Sequence, residues 1–176
     1  MGLELEHLAA YLPYKVQYQL YGNFSIKEGV DNIVENIAEV TTQNFMRILD
    51  DYDKNRKPIL RPLSDLIKEI NIKGDVFIPL VTLCRDFGKR EPCNILFGIQ
   101  YLMHADNGRG LGWWFLYNKE NKSFELTDDD KEMNDYCLPQ YDMMAKLFEW
   151  HFDVFDLINK GLAVNIHNLM PTKLNL

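Results

Sequence analysis

The chain has little of what secreted, membrane-spanning or disulfide-stabilised proteins need. Its three cysteines, Cys84, Cys93 and Cys137, are an odd number at uneven spacing. This pattern is typical of free thiols in a reducing compartment rather than of a disulfide framework. Runs of about 18 apolar residues are missing, and residues 1–10 are acidic where a signal peptide would be basic and then apolar. We therefore expect a cytoplasmic protein that has no membrane span.

Metal-ligand motifs are also missing. The cysteines, His104 and His151 form no C-x-x-C or H-x-x-x-H pair of the kind that structural zinc sites use. Residues 51–55 begin like a calcium loop, but Arg56 stands where the loop needs its turn glycine, and residues 128–130 fail the same test. We predict no metal, no cofactor and no catalytic residues. An enzyme that pairs a cysteine with His104 or His151 remains a third hypothesis for the function.

Positive charge is scarce and unevenly placed. The 176 residues carry a net charge of -7. Residues 54–93 nevertheless hold nine Lys/Arg against five Asp/Glu, while the segments on either side are acidic. An acidic protein with one basic segment is a poor general binder of nucleic acid, because steering toward phosphate needs a positive field over the approach surface. The acidic flanks suit a basic partner, such as the cationic channel of a nucleic-acid enzyme.

The basic segment is punctuated by prolines. Within it, Lys54, Arg56, Lys57 and Arg61 fall within eight residues, with Pro58 and Pro62 between and after them. The prolines predict a stiff extended link that Ile59 and Leu60 anchor to the core. We expect some of the four cations to be structural and the others to bind a partner.

Alternating and turn-rich patterns predict several strands. Residues 15–21 alternate apolar and polar, as a half-buried strand does. Residues 71–78 predict a tight turn between two short strands, and Pro79 is well placed to begin a helix. Residues 113–117 and 123–127 flank a polar segment, which predicts a hairpin, and residues 87–92 are the best candidate break inside the chain.

Two of the segments with helical periodicity are long enough to decide the fold class. Residues 26–39 predict a helix first, although their many β-branched residues leave a strand near 33–40 open. Residues 139–160 keep one polar stripe and are otherwise almost wholly apolar, which predicts a long C-terminal helix packed on two sides. The predicted fold class is α+β, mostly helical with a small antiparallel sheet, as a single domain over residues 1–176.

A pair of tryptophans is the best candidate for an exposed aromatic site. Trp113 and Trp114 follow the glycine-rich residues 108–112, which we interpret as a flexible entry loop because no helix follows them. In an alternating strand only one of the two tryptophans faces the core. The other is a candidate to contact a partner. The predicted partner-binding residues are therefore Lys54, Arg56, Lys57, Arg61, Trp113 and Trp114.

Blocks of sequence resemble a known family. The segments Lys57–Leu66 (KPILRPLSDL) and Lys146–Ile158 (KLFEWHFDVFDLI) resemble small phage and prophage proteins of Bacteroidetes. Shorter matches at residues 12–14, 68–70 and 160–163 accompany them, so that 33 of the 176 residues belong to matching blocks. The family has no agreed activity and no agreed catalytic residue, so the resemblance assigns neither to this chain. The resemblance implies a variable insertion at about 88–138.

This resemblance favours an interaction protein. We expect stoichiometric binding to a host protein, as an inhibitor of an RNA-guided CRISPR effector, with RNA-targeting type VI systems as the sharper hypothesis. The partner would be a basic nucleic-acid-binding effector or its RNA complex. The alternative is an accessory protein of phage nucleic-acid metabolism that binds DNA or RNA through its basic middle segment.

Overall fold

A computed structural model describes residues 3–20, 36–41, 43–49, 56–98, 101–106, 112–128 and 137–169. Lys54, most of the glycine-rich loop and the first part of the helix predicted at 26–39 lie outside these ranges. Within them, strands outnumber helices. The prediction of a mostly helical fold is therefore wrong, and the chain is strand-rich.

Short elements make up the described chain. The strands are β1 (Gln17–Leu20), β2 (Asn36–Glu39), β3 (Arg56–Leu60), β4 (Ile70–Ile72), β5 (Asp75–Phe77), β6 (Ile95–Phe97), β7 (Leu102–Asp106), β8 (Gly112–Asn118), β9 (Ser123–Asp128) and β10 (Val164–Asn165). The α-helices are α1 (Leu5–Ala9), α2 (Phe45–Leu49), α3 (Pro79–Gly88) and α4 (Gln140–Glu149). Short 3₁₀-helices cover Leu12–Tyr14, Leu63–Ile67 and Ile166–Asn168.

These elements belong to two compact units. The first unit comprises Met1–Pro62 and Phe148–Leu174, and the second comprises Leu63–Leu147 with Asn175–Leu176. The chain thus leaves the first unit after Pro62 and returns to it at Phe148. The predicted single domain, its break near 87–93 and its insertion at about 88–138 stay predictions.

The sheet of the first unit has the strand order β10-β3-β1-β2. β1 pairs antiparallel with β2 and β3, and β10 joins β3 in parallel. The predicted extended link at Arg56–Leu60 is therefore an interior strand, despite its proline. Pro58 has no N–H to donate, and β10 pairs only from Ile59 onward, so the proline sits beyond the end of that ladder. Ile59 and Leu60 are buried in the core, as predicted.

The core of the first unit gathers side chains from α1, β3 and the segment after α4. Leu8, Tyr11, Leu60 and Leu157 are fully buried in one hydrophobic cluster. The ring of Tyr11 meets Phe148 edge-on, with their centroids 5.1 Å apart. Removal of this apolar and aromatic surface from water is the main favourable contribution to the folding of the unit.

The long helix predicted over 139–160 is wrong in its second half. α4 ends at Glu149, and turns carry the chain on to Gly161. His151 and Asp156 both adopt the left-handed backbone conformation, each with φ of 58°. An α-helix has negative φ throughout, so a core helix of that length is not formed.

Tertiary hydrogen bonds explain why the helix stops. The N–H of Arg61 donates to the carbonyl of His151 at 2.8 Å, and the carbonyl of Arg61 accepts from the N–H of Asp153 at 2.8 Å. The hydroxyl of Tyr11 donates to the carbonyl of Phe152 at 2.6 Å. These partners, distant in sequence, satisfy backbone groups that a helix would otherwise pair internally. The segment therefore buries its apolar side chains without being helical.

The helix predicted first over 26–39 is wrong for the residues that are described there. Asn36–Glu39 form β2, an antiparallel neighbour of β1. The strand alternative near 33–40 is confirmed over this part. Pairing with β1 satisfies the backbone of Asn36–Glu39, so these residues form a strand although their spacing also suits a helix.

The second unit begins with elements that the sequence predicts correctly. β4 and β5 form an antiparallel hairpin, and its turn residues Lys73 and Gly74 have φ of 55° and 96°. Glycine suits the second of these positions because it has no Cβ to clash. α3 begins at Pro79, as predicted, and its side chains Leu80 and Leu83 are buried.

A four-stranded antiparallel sheet with the order β6-β7-β8-β9 completes the second unit. The predicted hairpin between β8 and β9 is confirmed, with Asn118 opposite Ser123. The side-chain oxygen of Asn118 accepts from the N–H groups of Glu120 and Asn121 at 3.0 and 3.2 Å. Such a bond from an asparagine to the backbone just ahead of it fixes the turn.

Candidate protein-interaction face

Strands β7, β8 and β9 alternate between a buried face and a second, half-buried face. The alternation follows from the two-residue period of a strand, which sends successive side chains to opposite sides. The side chains of the buried face are Met103, Ala105, Trp113, Phe115, Tyr117, Phe124 and Leu126. We call the opposite side the outer face, and it carries Leu96, Leu102, His104, Asp106, Trp114, Leu116, Glu125 and Thr127.

One line of side chains crosses all four strands of the outer face. The strand register places Leu96 opposite His104, His104 opposite Trp114, and Trp114 opposite Thr127. We call these four residues the cross-strand row. The rings of His104 and Trp114 lie with centroids 4.3 Å apart, and Leu96 exposes 68 % of its surface. The row offers a partner one aliphatic and two aromatic groups side by side.

A second line of the outer face is aliphatic and ends in a carboxylate. Leu102 lies opposite Leu116, which lies opposite Glu125. All three side chains are half-buried. The carboxylate of Glu125 accepts from the side-chain amide of Asn118 at 3.1 Å. Leu102 and Leu116 therefore add a second line of apolar side chains beside the cross-strand row, and the carboxylate of Glu125 lies at its end.

The strands of this sheet carry carboxylates but no lysine or arginine. Their charged residues are Asp106 and Glu125 on the outer face, and Asp128 on the other side of the sheet, opposite Trp113. Asp106 accepts from the side-chain amide of Asn94 at 2.8 Å, which orients its carboxylate. An indole face attracts cations through its quadrupole. The charge of the sheet and the chemistry of Trp114 therefore both suit a basic partner.

The two neighbouring tryptophans take different roles. Trp113 is 5 % exposed and lies on the buried face, whereas Trp114 is half-buried on the outer face. The indole N–H of Trp113 and the hydroxyl of Tyr117 have no hydrogen-bond partner among the described residues. Burial, with a smaller effect of Tyr101, raises the pKa of Tyr117 to about 12. Trp114 is therefore the one of the pair that can contact a partner.

The predicted cationic residues lie in the other unit. Arg56 and Lys57 are half-buried in β3, opposite Leu20 and Gln19. Arg61 is 8 % exposed and is held by its backbone bonds. Each of these three cations already has an interaction partner. Of the predicted partner-binding residues that the structure describes, Trp114 therefore has the surroundings that best fit the role.

A group of possible metal ligands at the start of α1 was missed by the sequence analysis. Glu4, Glu6 and His7 bring ligand atoms within 4.8 Å of one another. The N–H of Glu4 donates to Nδ1 of His7 at 3.0 Å, and the two residues form a capping box. Helix capping accounts for their proximity. The spacing Glu4-x-x-His7 is the signal that could have revealed it.

The cysteines differ in their surroundings. Cys84 is fully buried in α3, and burial raises the pKa of its thiol to about 12. Cys93 and Cys137 are exposed. The nucleophile in thiol chemistry is the thiolate, so Cys84 is unsuited to the enzymatic hypothesis that pairs a cysteine with a histidine.

None of the described helices is both long and apolar enough to cross a lipid bilayer. Comparison with protein-family models, with curated proteins and with solved structures found no match to this chain. The candidate site therefore rests on the geometry and chemistry of the outer face.

Proposed function

We propose that this protein acts by stoichiometric binding to a partner protein and that the outer face is its binding surface. The observation that carries the proposal is the cross-strand row, where an exposed Leu96 continues into the paired rings of His104 and Trp114. Tryptophan is enriched at binding hot spots, because it buries a large area with few rotatable bonds. A sheet holds these groups in place before binding, which lowers the entropic cost of association.

The partner is a protein with a basic surface. The outer face carries the carboxylates of Asp106 and Glu125, and the strands of this sheet contain no lysine or arginine. The chain as a whole carries a charge of -7. An arginine of the partner would stack on the face of Trp114. Other cations of the partner would pair with the carboxylates of Asp106 and Glu125. The overall negative field speeds the approach of such a partner.

The more specific proposal is a host RNA-guided CRISPR effector, of the RNA-targeting type VI class, bound in the host cytoplasm. Its support is the resemblance of Lys57–Leu66 and Lys146–Ile158 to phage and prophage proteins, together with the acidic flanks of the chain. Effectors of this kind hold nucleic acid in basic channels. An acidic protein that occupies such a channel acts as a competitive inhibitor.

The alternative of a nucleic-acid accessory protein has less support. It relies on Arg56, Lys57 and Arg61, of which Arg61 is buried and the other two are half-buried in a strand. Binding through these residues would weaken steeply as salt rises, because phosphate contacts release counterions. A nucleic-acid binding assay over a salt series therefore distinguishes the two functions.

The proposal is tested by affinity capture from a host lysate, with and without nuclease, followed by reconstitution. We expect the tagged protein to retain an effector after nuclease treatment, at a one-to-one ratio. The purified effector should then lose RNA cleavage when the protein is added in equimolar amount. Recovery of nucleic acid alone, or an effector that cleaves RNA normally in the presence of excess protein, contradicts the proposal.

A further inference from the structure

The two edge strands of the β6-β7-β8-β9 sheet differ in whether their outward backbone groups form hydrogen bonds. At the β9 edge, the side-chain amide of Gln140 donates to the carbonyl of Phe124 at 2.8 Å and accepts from its N–H at 2.8 Å. Gln140 thus bonds to the edge as a neighbouring strand would. Edge strands that keep such groups unpaired are templates for another chain, and Gln140 removes that opportunity at Phe124.

At the β6 edge, the backbone groups of two residues point away from the sheet. The N–H of Gly98 donates to the carbonyl of Leu102 at 2.9 Å, so Gly98 faces β7. Backbone groups of an antiparallel strand alternate in direction, so Leu96 also faces β7, while Ile95 and Phe97 face outward. The described part of the chain provides β6 with one neighbour, β7, and contains no bond to these outward groups.

Two side chains of β6 are also exposed. Leu96 exposes 68 % of its surface on the outer face, and Phe97 exposes 38 % on the opposite face. The strand Ile95–Phe97 has only three residues, and it contains no charged residue and no proline, which are two of the devices that prevent pairing at an edge. An apolar edge of this kind fits another apolar strand.

We propose that β6 pairs antiparallel with β6 of a second copy of this chain, with the two-fold axis at Leu96. The spacing of the outward groups allows this symmetry. In this register Ile95 lies opposite Phe97 of the second copy, and Phe97 lies opposite its Ile95, so both pairs match outward groups. Four N–H···O bonds form, and the two Leu96 side chains meet on the same face.

The pairing would join the two sheets into one of eight strands. The cross-strand row of one copy would continue through Leu96 into the row of the other. This inference depends on β6 alone, and it stands whether or not the outer face binds the partner proposed above.

Covalent trapping tests the register directly. Residues opposite each other in a non-hydrogen-bonded antiparallel pair have Cα atoms about 4.5 Å apart, within the range that a disulfide spans. In a Cys93→Ser, Cys137→Ser background, Leu96→Cys should form a disulfide-linked dimer under mild oxidation. The matched control is Val76→Cys in the same background, because Val76 is 60 % exposed on the neighbouring hairpin of the same unit. The control should stay monomeric.

Sedimentation of the full chain tests the strength of the pairing. The unmodified protein should show a monomer–dimer equilibrium between micromolar and near-millimolar concentration. Phe97→Pro removes an outward N–H from each copy without touching the bonds to β7, so the dissociation constant should rise on the order of tenfold or more. Circular dichroism verifies that the variant is folded, and the cysteine variants give an answer if it is not.

The inference is overturned by a chain that stays monomeric up to near-millimolar concentration, which would leave a strand from another protein as the occupant of this edge. It is also overturned by a dimer that Leu96→Cys links no faster than Val76→Cys does, since that dimer would use a different surface.

Discussion

His104 and Trp114 lie opposite each other on β7 and β8, with ring centroids 4.3 Å apart, on the side of the sheet away from its buried face. Each ring limits the rotamers of the other. A partner therefore meets a fixed aromatic pair rather than two mobile side chains, and this saves part of the conformational entropy that binding would otherwise cost. The same register places exposed Leu96 next in line, which makes the pair part of a wider surface.

Alanine substitution should separate the structural tryptophan from the binding one. Trp113→Ala removes a buried indole, and we expect the free energy of unfolding to fall by about 3–5 kcal/mol. Trp114→Ala removes a half-buried indole from the outer face, so the loss should be roughly 1–2 kcal/mol. Urea unfolding followed by circular dichroism measures both values. Equal losses for the two variants would mean that Trp114 is also a core residue.

Removal of the Tyr11 hydroxyl should destabilise the turns that follow α4. This hydroxyl donates to the carbonyl of Phe152 at 2.6 Å and accepts from the N–H of Val154 at 3.3 Å. Tyr11→Phe keeps the ring and should cost about 1–2 kcal/mol of unfolding free energy. The control is Tyr141→Phe, because Tyr141 is 85 % exposed and its change should be near zero. Similar small effects in both variants would argue against a structural role of the Tyr11 bonds.

Asp153 should give the protein a distinctive pH dependence of stability. Its buried carboxylate accepts from the N–H groups of Leu157 and Ile158, each at 2.8 Å. Burial raises its pKa, and these two bonds offset only part of that effect. A carboxyl whose pKa is higher in the folded state favours folding while it is protonated. Its contribution is full below the unfolded-state pKa and is lost as the pH rises through the folded-state pKa.

Asp153→Asn isolates this effect, because the other carboxylates titrate in both proteins. The unfolding free energy of the wild type minus that of the variant should fall as the pH rises from below the ordinary aspartate pKa toward neutrality. Urea unfolding at a series of pH values gives this difference. A difference that grows with pH would show that the two backbone bonds outweigh burial and that the folded-state pKa is lowered.

The three cysteines should differ in reactivity. Burial raises the pKa of the Cys84 thiol to about 12, so the thiol is almost entirely protonated at pH 8, and it is also inaccessible. A thiol reagent should label Cys93 and Cys137 in the native protein and Cys84 only after denaturation. Mass spectrometry of the peptides locates the labels. Rapid native labelling of Cys84 would indicate that α3 opens readily.

Part of this fold was predictable because its signals are local. The β8–β9 hairpin follows from two alternating runs around a polar loop, and the start of α3 follows from Pro79. The same alternation implies that Trp113 and Trp114 face opposite sides. It does not say which of them is buried, because that depends on which face of the sheet the rest of the unit covers.

Other features depend on partners that are distant in sequence. Residues 150–160 keep the spacing of a helix, yet Tyr11 and Arg61 bind their backbone and hold them in turns. Asp153 has the spacing of a solvent-exposed stripe, yet it is buried, and the two backbone bonds that it accepts offset part of the cost of burial. The proline of β3 predicts a link, since nothing local shows that β10 begins to pair only after Pro58.

The candidate site has the same mixture of local and distant causes. Alternation alone predicts that one of Trp113 and Trp114 faces away from the core, and the structure identifies it as Trp114. Leu96, His104 and Thr127 join it only through strand register, which the sequence does not specify because the loops between the strands vary in length and composition. Arg61 shows the opposite case, in which a cation in a basic segment is taken into the core.

The most direct test of the central claim is the amount of partner protein that nuclease-treated host lysate leaves on the immobilised protein, compared for two single variants. Trp114→Ala changes the outer face, and Tyr141→Ala removes an exposed aromatic from α4 in the same unit. A hot-spot residue contributes about 2 kcal/mol or more, so Trp114→Ala should weaken binding roughly thirtyfold. We predict that Tyr141→Ala retains the partner and Trp114→Ala loses it. Equal retention by both folded variants would contradict the assignment of the outer face as the binding surface.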